Sequence, residues 1–191
     1  MRAWQRMLSG RRLNLLEPSP LDIEIEDIAH GLSRVARWNG QTTGDWAFTV
    51  AQHSVLVESL VQRYRKTAPP AWRLAALLHD AAEYVIGDLI SPFKSAVGLD
   101  YKSFETGLLG AIHIRFGLPA IPAVGTARLI KRGDRAAAYL EATQLAGFEP
   151  AEARRLFGNP RGVDDIALAT LPPGEAKIQF MDRFEALASQ V

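Results

Sequence analysis

Three observations predict an all-α protein. Proline and glycine cut the 191 residues into segments that mostly carry the 3.6-residue hydrophobic period of helices. Runs of alternating β-branched residues, the mark of half-buried strands, are scarce. Thr49 and Gln52 stand in the T-x-x-Q spacing of a capping box, a helix start signal. At this length one sizeable core is expected. A single domain over 1–191 follows, with a helical core at roughly 22–147 and a C-terminal helical extension over 148–191.

The elements are expected in the following order. "EPSPLDIEIEDIAHGLSRVARW" opens with a proline-bounded turn, after which Ile25, Ile28, Ala29 and Leu32 recur at helical spacing. Within it "LDIEIED" alone alternates like a strand, and it is too short to carry a sheet. The capping box at Thr49 starts a helix that places His53 near its first turn, with Val57, Leu60, Val61 and Tyr64 continuing the buried stripe. A second long helix begins after Pro69 and Pro70 and runs through Leu74, Leu77, Leu78, Ala81 and Val85. Gly87 suits its C-terminal cap, and Pro92 prevents it from resuming. Further helices are expected through "YKSFETGLLGAIHIRFG", through "VGTARLIKRGDRAAAYLEATQLAG", near 150–157, and through "EAKIQFMDRFEAL". Gly133 inside one of them costs ~1 kcal/mol relative to alanine, which suggests a close backbone approach there.

Composition narrows the function. With 22 Lys+Arg against 21 Asp+Glu the net charge is +1, so no bulk field attracts nucleic acid or an anionic membrane. The absence of cysteine excludes disulfides and thiolate metal sites, leaving His, Asp and Glu as ligands. The N-terminus lacks a signal-peptide h-region, and no apolar run approaches the ~20 residues of a membrane span. A cytoplasmic protein is expected.

Against this background "LHDAAE" stands out. His79, Asp80 and Glu83 are set among Leu77, Leu78, Ala81 and Val85, and burying an unpaired carboxylate is costly without a cation or donor beside it. On one helix the three would border a common pocket. A divalent cation held by imidazole and carboxylate draws ligands from several elements, and His53 and Asp134 lie where packed helices could supply them. From spacing alone, a hydrogen-bonded core histidine and a solvated acidic face remain open alternatives.

His53, the His79-Asp80 doublet and Asp134 together resemble, in order and spacing, the H…HD…D signature of the HD-domain metal-dependent phosphohydrolases. The stretch "HDAAEYVIGDLISPFK" is similar to the HD-type 5′-deoxynucleotidases. "DIAHGLSRVARWNGQT" followed by "FTVAQHS" is similar to a bacterial and phage subgroup that includes dATP triphosphohydrolases. The likeness covers roughly residues 10–145. It implies an HD-domain helical bundle whose metal ligands are His53, His79, Asp80 and Asp134. It implies Glu83 as the group handling the proton of the attacking water, with Asp88 as its neighbour or alternative. Arg37 and Trp38 match an Arg-aromatic pair of these families, which suggests the guanidinium on phosphate and the ring on sugar or base. Each has a bland alternative, a capping charge and a core aromatic. Lys94 reads equally as a phosphate contact and as a surface lysine.

One histidine, His113, lies between the doublet and Asp134, so a single ion is expected rather than two; His30 and His113 are assigned to the core or surface. The ion is one of Mn2+, Co2+, Zn2+, Fe2+, Ni2+ or Mg2+. The resemblance therefore implies hydrolysis of a phosphate ester of a (deoxy)nucleotide, of either the nucleotidase or the triphosphohydrolase type. A non-catalytic metal- or nucleotide-binding module is the alternative. The partner is a nucleotide, not nucleic acid or membrane, and relatives often form homodimers or larger homo-oligomers.

Overall fold

The computed structural model describes residues 3–88 and 99–191. A hairpin of β1 (Trp4–Arg6) and β2 (Arg12–Asn14) opens the chain, antiparallel with Gln5 opposite Leu13. Helices then follow: α1 (Ile25–Leu32), α2 (Val50–Tyr64), α3 (Pro70–Leu77), α4 (Glu83–Ile86), α5 (Leu99–Arg115), α6 (Val124–Gln144), α7 (Pro150–Phe157) and α8 (Pro173–Ala188). The expected all-α architecture is present. The hairpin carried no recognisable signal, and "LDIEIED" forms a short 3-10 turn at Pro20–Asp22 that leads into α1. Ser9 at the hairpin tip donates from its amide and hydroxyl to the Asp27 carboxylate, at 2.9 and 2.5 Å, which fastens the hairpin to α1.

α2 is the central element, packed against α3, α6 and α8. Its start is the capping box expected from Thr49 and Gln52, with both reciprocal bonds formed. Val50, Val57, Leu60 and Val61 are fully buried on it. The C-terminal helix shares the same core through Phe180, Phe184 and Leu187. The buried carboxylate of Glu58 on α2 accepts from Arg73 of α3 at 2.6 Å and from Arg183 of α8 at 2.5 Å. One acid thus ties three helices, an arrangement that is costly to break because removal of one partner leaves the others uncompensated.

The second long helix differs from expectation. α3 stops at Leu77, and residues 78–82 form a turn before α4. A continuous helix would bring the Asp80 amide to the Ala76 carbonyl; instead the His79 ring Nδ1–H donates to that carbonyl at 2.8 Å. The amides of Ala81, Glu83, Tyr84 and Val85 then bond three residues back, to Leu78, Asp80, Ala81 and Ala82. This tight path turns the His79-Asp80 pair out of the helical register. Pro92 and Lys94 lie outside the described residues. Among the described residues no helix is long and apolar enough to cross a membrane.

Gly133 is the close approach that its helical setting suggested. A Cβ there would lie 3.2 Å from the backbone carbonyl of Val57 and 3.4 Å from the Val61 side chain, so α6 runs against the backbone of α2. Gly107 on α5 has nothing within 4 Å of such a carbon and is exposed. Gly107→Ala should therefore raise the melting temperature by the ordinary propensity gain of ~1 kcal/mol. Gly133→Ala should lower it, because the two helix backbones must separate; thermal denaturation of the two variants side by side checks the opposite signs.

Candidate metal centre

Three chain segments converge at one end of α2. The capping box fixes the first turn of α2 and with it the fully buried His53. The turn after α3 delivers His79 and Asp80, and the middle of α6 delivers Asp134, held close by Gly133. His53 Nε2 lies 3.5 Å from Asp80 Oδ2 and 3.5 Å from Asp134 Oδ1, and His79 Nε2 lies 3.1 Å from Asp80 Oδ2. The two imidazole rings are 5.2 Å apart. Both Nε2 atoms are buried, yet neither makes a hydrogen bond.

The tautomers explain this. His79 Nδ1 must carry its proton to donate to the Ala76 carbonyl, and His53 Nδ1 faces a Glu141 carboxylate oxygen at 2.5 Å. Each Nε2 is therefore the ring atom turned toward the carboxylates; on His53 it shares a proton with them in the metal-free protein, and loss of that proton frees it as a ligand. Ligand atoms about 2.1 Å from a common ion, at angles between octahedral and tetrahedral, stand ~3.0–3.4 Å apart. The His53–Asp80, His79–Asp80 and His53–Asp134 spacings of 3.1 to 3.5 Å are close to that range, and the ligand atoms of His53, His79 and Asp80 all lie within 4.8 Å of one another. His53, His79 and Asp80 form a group able to hold a metal ion, and Asp134 stands against His53 beside it.

Glu141 escaped the sequence analysis. It sits seven residues after Asp134, two turns along the same face of α6, inside the alanine-rich "AAAYLEAT", and that i+7 spacing was the available signal. Fully buried, it accepts from His53 Nδ1, from the Trp38 indole Nε1 at 2.9 Å and from Arg37 Nε at 3.3 Å. Carboxylates that hold the far side of a histidine in this way fix its orientation and raise its basicity as a ligand. Arg37 also donates from Nη1 to Asp88 at 3.1 Å, so Asp88 is engaged with the arginine.

Arg37 and Trp38 reach this position through an unusual backbone. Segment 35–37 runs beside 48–50, with Arg37 N bonded to Phe48 O at 2.8 Å and Val50 N to Val35 O at 3.0 Å. Trp38 and Asn39 then adopt left-handed φ values of 57° and 51°, a conformation that costs of order 1 kcal/mol or more per residue. The Trp38 ring packs on Phe148 and Phe157, with centroids 5.5 and 5.7 Å away. The structure thus commits both faces of the Arg-Trp pair to Glu141, Asp88 and aromatic neighbours.

Glu83 is buried at the start of α4, its amide bonded to the Asp80 carbonyl at 3.0 Å. A cavity of about 220 Å³ opens beside His79, Asp80 and Asp134, and His113 and Lys131 also line it; Glu83 is not among its lining residues. Lys131 Nζ sits 2.7 Å from Asp134 Oδ2. His113, assigned to the core or surface, is buried on this cavity with Nδ1 bonded to the Pro119 carbonyl at 3.2 Å.

Charge compensation dominates the electrostatics. Burial alone drives the His53 pKa down, as does the Arg37 charge, but Glu141, Asp134 and Asp80 overcome both and raise it well above the usual imidazole range. Burial pushes Asp80 and Asp134 upward, yet the two imidazoles hold both carboxyls below their ordinary range. Glu141 is likewise drawn down against its burial, to about 2, by His53 and Arg37. For Arg37 burial acts downward, and Glu141 and Asp88 more than reverse it, keeping the guanidinium charged.

Comparison with known proteins places the fold. No protein-family model matches the chain. It is 56% identical over 188 residues to an uncharacterized protein of Rhodobacter capsulatus, covering 97% of this chain and 96% of that one. It is 32% identical over 183 residues to the uncharacterized protein YfdR of Escherichia coli, covering 96% and 94%. The chain belongs to the family of these two proteins. Among solved structures, the HD phosphohydrolase DatZ of cyanophage S-2L, bound to dA and one catalytic Zn2+ ion, aligns with a TM-score of 0.51. That alignment covers 86% of this chain and 96% of DatZ at 22% identity, and it shows that the fold is the HD-domain helical fold.

A pH dependence follows from these charges. The raised His53 pKa contributes stability that is complete below the unfolded value of 6.5 and is lost as pH rises through the higher folded value. The depressed carboxyls contribute above their unfolded values of 3.8 and 4.5, and that part is lost only on acidification. Metal-free protein should therefore lose melting temperature as pH is raised from about 6.5 into the alkaline range. A divalent cation that replaces the shared proton should abolish the loss. A flat or rising alkaline profile without metal would count against the charge arrangement.

Proposed function

We propose that the chain is a metal-dependent phosphohydrolase that cleaves a phosphate ester of a deoxynucleotide, with one divalent cation held by His53, His79, Asp80 and Asp134. The observation that carries this reading is the meeting of two buried, hydrogen-bond-free Nε2 atoms with the Asp80 carboxylate within 4.8 Å of one another, with Asp134 3.5 Å from His53 beside them. The dA bound to DatZ, a protein of the same fold, favours a deoxynucleotide as substrate. The donor set of two imidazoles and two carboxylates suits Zn2+, Mn2+, Fe2+, Co2+ or Ni2+, and Mg2+ less well.

A cation at this place supplies Lewis acidity toward a phosphoryl oxygen and lowers the pKa of coordinated water. The residues of the chain supply the rest. Glu141 and the Ala76 carbonyl hold His53 and His79 in the tautomers that turn Nε2 toward the site. Glu83, three residues beyond Asp80, is the carboxylate assigned to the proton of the attacking water. Arg37 has Nε on Glu141 and Nη1 on Asp88, and its Nη2, which has no hydrogen bond among the described residues, is assigned to a phosphate oxygen. Asp88 accordingly positions Arg37. Trp38 serves the site chiefly by fixing Glu141, and Lys94 is a further cation for the phosphate.

The test is a panel of deoxynucleoside mono- and triphosphates incubated with metal-reconstituted protein, with the products identified. Phosphate release from dAMP, or triphosphate release from dATP, is expected and distinguishes the two scissile bonds. Glu83→Gln should retain one ion per chain and lose about 10²–10⁴ in turnover. Metal binding without turnover across the whole panel would instead assign the chain as a binding module.

A further inference from the structure

A second cavity, of about 440 Å³, lies along the flank of α6, and none of the four proposed metal ligands lines it. Arg128, Lys131, Arg132 and Arg135 line it from α6, at i, i+3, i+4 and i+7, which is one continuous stripe of the helix. Arg161, in the loop after α7, and Tyr64, the last residue of α2, close it from two other elements. No carboxylate is among the described residues that line it. This concentration does not reflect the chain as a whole, whose net charge is +1.

The stripe costs stability as it stands. Like charges at i, i+4 repel, and here 128–132 and 131–135 are both such pairs. Among the described residues, Lys131 alone of these five cations has a salt bridge, to Asp134. Arg132 is held in place by stacking on Tyr64, with its guanidinium carbon 3.9 Å from the ring centroid. Arg128, Arg135 and Arg161 have no ion pair among the described residues. A cavity of this size takes a small ligand, and guanidinium groups presented from two sides match the geometry of phosphate oxygens.

We propose that this cavity is an anion-binding site, distinct from the metal centre, for a chain of two or more linked phosphates such as a nucleoside triphosphate carries. A single phosphate neutralises too little of five converging cations. A polynucleotide would need a basic track beyond one cavity, and its preference over short phosphate chains is an outcome that the test includes. Lys131 lines this cavity as well as the one beside Asp134, so the two sites adjoin at that residue.

The experiment uses calorimetric titration of the full chain in EDTA, which removes any contribution from a bound metal. The probes are inorganic triphosphate, dATP and a single-stranded oligonucleotide. Expected is saturable binding of inorganic triphosphate that weakens about tenfold for each of Arg128→Ala and Arg161→Ala, both at exposed positions. Lys102→Ala, at an exposed position of α5 outside the cavity lining, should leave that binding unchanged. Tighter binding of dATP than of inorganic triphosphate identifies a nucleotide as the ligand, and equal affinity identifies the phosphate chain alone. Circular dichroism and melting temperature check that the variants are folded, and Arg128→Glu, which reverses the charge without shortening the side chain to alanine, should abolish binding. Absence of binding, binding indifferent to Arg128 and Arg161, or an oligonucleotide that binds more tightly through the same residues would overturn the proposal. None of these outcomes depends on hydrolysis.

Discussion

The candidate site is organised around one buried carboxylate. Glu141 is fully buried, and desolvation of a charge on that scale is unfavourable unless donors surround it. Three donors do: an imidazole, an indole and a guanidinium, from α2 and from the loop at Arg37 and Trp38. The same bonds define what each donor offers to the site. His53 is locked with Nε2 facing the two aspartates, and Arg37 is anchored through Nε and Nη1. The left-handed backbone at Trp38 and Asn39 is the cost of bringing two successive side chains to one acid, and it marks the loop as built for that purpose.

Backbone geometry then sets the spacing. Gly133 lets α6 approach α2 closely enough for Asp134 to stand 3.5 Å from His53. The His79 ring takes the Ala76 carbonyl, ends α3, and so turns Asp80 toward the same point. Neither effect is a side-chain contact with a ligand, yet each decides whether four distant residues can share one ion. Structural support of this kind is what keeps coordination geometry within narrow limits.

Much of this was legible in the sequence, and the exceptions have physical causes. The helices announced themselves by period and by a capping box whose two bonds both form, and the chemistry of the HD doublet stood out because acids are rare in apolar, alanine-rich surroundings. The interruption at residues 78–82 was hidden, because Leu77, Leu78, Ala81 and Val85 keep helical spacing through the turn, and only a side-chain bond to a carbonyl reveals it. Glu141 was hidden for a different reason: its partners lie 88 to 104 residues away, and a single acid in a helix ordinarily faces solvent. The Asp88–Arg37 and Trp38–Glu141 pairings were hidden too, because they are a matter of tertiary packing between segments far apart in the chain. The hairpin at 4–14 is too short for pattern to betray, and its attachment through Asp27 is visible only in three dimensions.

If the site works as proposed, four side chains from three segments converge on one cation. Crystals of protein reconstituted with Zn2+ or Mn2+, with diffraction recorded on both sides of the metal absorption edge, test it most directly. One anomalous peak per chain is expected, about 2.0–2.2 Å from His53 Nε2, His79 Nε2 and an oxygen each of Asp80 and Asp134. A peak elsewhere, or saturated crystals without a peak between these residues, would contradict it.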